Sequence, residues 1–132
     1  MRRTLLSILL LALLALLAAC GSDPLAPQKS PDGRFTLTPS VYERSLVRLT
    51  IRNSEGATVD QIDTRDSDVF KWIAGWADAR TVVFQASDTG TLLARHHDGT
   101  RWTDAPVTGD YCLRLRDLFS AKYGEKRTLC TE

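Results

Sequence analysis

Val47, Leu49 and Ile51 alternate with Arg48, Thr50 and Arg52. Successive residues of a strand point to opposite faces, so this spacing gives one apolar and one polar side. The same rhythm appears at Phe35 and Leu37, set among Arg34, Thr36 and Thr38, and again at Val82, Phe84 and Ala86. Short turn-forming strings lie between the runs: Asn53-Ser54-Glu55-Gly56, Asp88-Thr89-Gly90 and Asp98-Gly99-Thr100. Half-buried strands joined by such short connections pair with their sequence neighbours, which predicts an antiparallel β-meander.

Some stretches break the rhythm. Val59 and Ile62 are out of phase, which predicts a bulge or a sheet edge. Arg65-Asp66-Ser67-Asp68 reads as a polar loop. Val69 to Trp76 reads as a short strand entering a turn at Gly75 to Arg80. After Pro106 the period changes. Tyr111, Leu115, Leu118 and Phe119 have helical spacing, with Asp110 at the N-cap and Gly124 at the end, so Asp110 to Tyr123 is expected to be a helix. Leu115, Leu118 and Phe119 should face the sheet. The expected class is α+β: a meander of hairpins with one C-terminal helix.

The chain of 132 residues begins with Arg2 and Arg3, followed by an uncharged apolar run from Leu5 to Ala19. The run is short for a membrane-spanning helix and has the flanks of a signal peptide. Leu17-Ala18-Ala19-Cys20 resembles the lipobox of bacterial lipoproteins. The resemblance implies a signal peptide over 1–19, cleavage before Cys20 and lipidation of its thiol, whose several acyl chains anchor stably. A plain secretory signal or a membrane anchor is the alternative. In that family an Asp after the Cys retains the protein in the inner membrane. Gly21 and Ser22 stand here, which implies the periplasmic face of an outer membrane, in a cell that has one. Residues 20–30, with Pro24 and Pro27, read as a tether, and 31–132 as a single domain of a size that can bury one core.

With Cys20 taken by lipid, Cys112 and Cys130 remain. An even count in an oxidising compartment predicts one disulfide between them, with two reduced buried thiols as the alternative. Without Arg2 and Arg3, the 17 basic residues fall to 15, against 16 acidic ones. A net charge near −1 gives no basic excess for nucleic acid.

Ser30-Pro31-Asp32-Gly33-Arg34, followed by a strand, resembles the strand-opening motif of TolB-type β-propeller blades. Gly75 to Phe84 looks like a degenerate copy, with Trp76 before the turn, Ala77-Asp78-Ala79 replacing Pro-Asp-Gly, and Arg80 before the strand. Arg34 and Arg80 are 46 positions apart, close to one blade. Two copies cannot close a propeller. The resemblance therefore implies blade-like hairpins and neither a ring nor a channel.

Asp88-Thr89-Gly90 resembles the catalytic motif of aspartic proteases. Gln85 and Ser87 interrupt the apolar residues that motif needs before the Asp, and Leu92 departs after it. A hairpin turn, with Asp at its start and Gly at a positive φ, fits better. His96 and His97 are adjacent in an expected strand, face opposite ways, and are poorly placed to share a metal. Asp60, Asp63, Asp66 and Asp68 do not have EF-hand spacing. They read as a solvated loop, with a loose calcium site as the alternative. No cofactor or metal is expected, and no familiar catalytic motif is present.

Trp72, Trp76 and Trp102 read first as core and second as a partner-facing patch, because Trp is enriched at interface hot spots. The function expected is a non-catalytic lipoprotein that binds another envelope protein, including an inhibitor or immunity protein against a cell-wall hydrolase. Asp63, Asp66 and Asp68 would lie on its protruding loop. The alternative is a structural accessory of an envelope assembly, using a free sheet edge.

Overall fold

The computed structural model describes residues 23–125 together with Arg127, Leu129 and Cys130. The run read as a signal peptide and Cys20 lie outside the described residues. The expected meander forms as two sheets rather than one. The first contains β1 (Gln28–Lys29), β2 (Phe35–Tyr42), β3 (Leu46–Asn53) and β4 (Thr58–Ser67). The second contains β5 (Trp72–Asp78), β6 (Thr81–Ala86), β7 (Leu92–His97) and β8 (Trp102–Ala105). Each is antiparallel with its strands in chain order, and one helix, α1 (Asp110–Tyr123), follows.

The two sheets pack face to face. Leu37, Val47, Leu49, Ile51 and Ile62 of the first meet Trp72, Trp76, Val82, Phe84, Ala86 and Trp102 of the second. The far face of the second sheet presents Ile73, Val83 and Ala94, and α1 covers them with Leu115 and Phe119. Burying a side chain of this size contributes about 1.5–3 kcal/mol. The layers are thus sheet, sheet and helix. All six residues of β6 are buried, which is why Thr81 to Ala86 reads as an almost unbroken apolar run. The first sheet is covered on one side only, so β3 keeps its alternation.

α1 packs where β5 has no side chain in its way. A Cβ on Gly75 would lie 2.9 Å from Leu118 Cδ1. Gly75 is therefore a mid-strand residue at a close approach, not the start of a turn, and the turn falls later, between Asp78 and Thr81. The helix has the expected bounds, but its N-cap is Gly109, which offers no side-chain cap, and Asp110 is an acidic residue of the first turn. Cys112 on α1 is disulfide-bonded to Cys130, which fastens the tail to the helix.

The outer edge of β5 is closed by side chains. Lys122 Nζ and Tyr123 Oη both donate to the Trp72 carbonyl, Gln28 Nε2 to that of Ala74 and Arg114 Nε to that of Trp76. The stretch expected as a polar loop at Arg65 to Asp68 is strand up to Ser67. β4 is also the edge of its sheet, with register shifts against β3, as its phase break suggests. The connection that splits the meander in two is only Asp68 to Lys71.

Candidate functional site

β4 ends on an irregular turn of backbone. Arg65 takes a φ of 61°, and the Thr64 hydroxyl, bonded to the Val47 carbonyl at 2.8 Å, receives the Asp66 amide at 3.2 Å. This turn aims Asp66 inward, where it is only 2% exposed. Its Oδ1 accepts from the Thr89 hydroxyl at 2.5 Å and the Thr91 hydroxyl at 3.1 Å. The β6–β7 turn, Ser87 to Thr91, is thereby bound to the end of β4. β6 and β7 are adjacent and antiparallel, Gly90 has a φ of 76°, and Asp88 is exposed. The carboxylate that the Asp-Thr-Gly turn engages is that of Asp66.

The connection from β4 to β5 is braced at both ends. The Asp68 amide donates to the Ser45 carbonyl at 2.7 Å, and the Ser87 amide donates to the Lys71 carbonyl at 2.9 Å. Lys71 is also ion-paired with Glu125. Between these anchors Val69 is 74% and Phe70 54% exposed. An apolar pair on a short, anchored crown can enter a partner's pocket without a large loss of conformational entropy. The sequence does not distinguish these two residues, because an apolar pair before a strand reads as part of the strand.

The other site residues fall elsewhere. Asp63 lies on the solvent face of the first sheet in a two-pronged ion pair with Arg48, at 2.6 and 3.1 Å, and Arg48 holds its carboxyl below the usual range. Asp60 faces the second sheet and pairs with Arg95 at 2.7 Å. Asp66 and Asp68 are therefore separated from Asp63 and Asp60, and the four do not form one acidic loop. Trp72, Trp76 and Trp102 are buried in the core between the sheets and present no patch at the surface, whereas Val69 and Phe70 are exposed. His96 bonds Thr81 at 2.9 Å, while His97 packs on Phe35 and Trp102. Among the described residues, no group of three or more His, Cys, Asp or Glu is placed to hold a metal.

A cleft of about 320 Å³ lies between α1, β5 and the segment entering β1, with Gln28, Trp72 and Leu118 on its walls. Lys122 lines it, 4.0 Å above the Trp72 ring, and burial pushes its pKa down to about 8. Comparisons with protein-family models, curated proteins and solved structures found no match for this chain. Among the described residues no helix is long and apolar enough to cross a membrane.

Proposed function

We propose that the chain is a lipoprotein, anchored through Cys20 to the periplasmic face of an outer membrane, whose domain binds another envelope protein without catalysis. The observation that carries the binding reading is the exposed Val69–Phe70 pair on its braced connection. An aromatic side chain presented as Phe70 is can act as an anchor, and the anchored crown suits entry into a cleft, as an inhibitor or immunity protein against a cell-wall hydrolase requires. The lipid reading rests on Leu17 to Cys20.

The blade-like reading of the hairpins has support in the placing of the two sequence copies. Arg34 and Arg80 each stand just before the second strand of their own sheet. Leu37 faces the other sheet, and Val83, its counterpart 46 positions on, faces α1. The two sheets thus stack front to back, with the helix where a further blade would sit.

The accessory reading is favoured by β4, an edge strand of ten residues. Its register shifts and its charged Asp63 and Arg65 work against strand addition, and β5 is closed by side chains.

The test is capture from envelope extract in mild detergent, with the full chain and its Phe70→Asp variant. The proposal expects a partner retained by the parent chain and lost from the variant at unchanged thermal stability. Equal recovery by both would remove Phe70 from the interface. Mass spectrometry of the N-terminal peptide tests lipidation separately, and an unmodified Cys20 thiol would end that part.

A further inference from the structure

The solvent face of the first sheet carries a row set by register. Lys29 of β1 is opposite Thr36 of β2, Thr36 is opposite Arg52 of β3, and Arg52 is opposite Thr58 of β4. Directly opposed residues share a face, and the neighbouring Leu37 points the other way into the core. Strands are spaced about 4.8 Å apart, so Lys29 and Arg52 stand roughly 10 Å from each other with a threonine between them. The row opens onto a depression of about 490 Å³, lined by Lys29, Thr36, Thr38, Arg52, Asn53 and Ser54, among others, and among the described residues no carboxylate lines it. Neither cation has an ion-pair partner among the described residues, whereas Arg34 and Arg48 each have one and Arg95 has two. The nearby Asp32 is occupied by Arg34 and Ser30.

We infer that this row is a binding site for a phosphate group, with Lys29 and Arg52 gripping it from two sides above the Thr36 and Thr38 hydroxyls. Arginine offers a planar fork and lysine a point charge, and both bind phosphate oxygens well. Donors arriving from two flanks and from below suit a tetrahedral oxyanion better than a flat carboxylate. Asn53 Oδ1 is taken by the Glu55 and Ala57 amides at the rim, which sets the turn that closes one end of the depression. The phosphate can belong to a lipid headgroup or to a soluble ester, since the chemistry is the same.

The test uses the full chain in maltoside micelles, titrated with inorganic phosphate while the amide resonances of Thr36 and Arg52 are followed. Saturable shifts are expected, and Lys29→Gln or Arg52→Gln should each weaken binding about tenfold, the worth of one charge-assisted contact. Arg101→Gln, which removes equal charge outside the lining of the depression, should leave it unchanged. Repeating the titration with phosphatidylglycerol doped into the micelles separates the sources. Competition there assigns a headgroup, and its absence assigns a soluble phosphate. Shifts that never saturate, equal loss in Arg101→Gln, or acetate binding as tightly as phosphate would each overturn the inference.

Discussion

Asp66 is a buried carboxylate whose hydroxyl partners come from the other sheet. Removing one of those donors leaves a buried carboxyl oxygen with one partner fewer. Thr89→Val should therefore destabilise the fold by about 1–3 kcal/mol, read from urea denaturation, whereas Asp88→Asn on the same turn should cost little. Gly75 gives a steric counterpart. Gly75→Val puts branched carbon against Leu118, and overpacking of this kind costs about 1–3 kcal/mol, with amide exchange rising first along α1. Lys122 gives a titration. Burial lowers its pKa from 10.5 to about 8, so the unfolded chain holds that proton to higher pH than the folded one. From about pH 8 to 10 the unfolded state binds more protons, and stability should rise with pH. Lys122→Met should flatten that rise. Burial pushes the neighbouring Tyr123 phenol up, so it acts in the opposite sense only above its ordinary value of 10.0.

Strands were legible in the sequence wherever one face is buried and the other is wet. β3 shows this plainly, because its alternation is the pattern of a sheet covered on one side. β6 was legible as a strand but not as a strand buried on both sides, since that depends on a helix placed much later in the chain. The division into two sheets was not legible. Asp68 to Lys71 contains no Gly or Pro, and its Val-Phe pair looks like the opening of β5. Gly75 was read as a turn because a glycine in a strand signals a close approach only once the neighbour, here Leu118, is known. The inward aim of Asp66 was also hidden. It depends on the left-handed backbone at Arg65, which periodicity does not report. α1 was legible throughout, except that Gly109 rather than Asp110 caps it. At this scale the Cys112–Cys130 disulfide restricts the unfolded chain. Replacing both cysteines with serine should lower stability by about 3 kcal/mol and loosen the tail before the sheets, as hydrogen exchange would report.

The whole molecule is a stack closed differently at its two faces. The helix covers one face of the second sheet, and threonine, arginine and lysine leave the outer face of the first sheet in water. Its edges are also unequal, with β5 sealed by Lys122, Gln28 and Arg114, and β4 guarded by charge and bulges. Val69 and Phe70 are the most exposed large apolar residues among the described ones, and the proposed binding reading rests on them. A photo-crosslinking residue placed at Phe70 of the full chain, irradiated in intact cells, tests this most directly. The account predicts a discrete adduct with one envelope protein, absent when the same residue replaces the exposed Asp88. An adduct at Asp88 but not at Phe70, or none at either position, would contradict it.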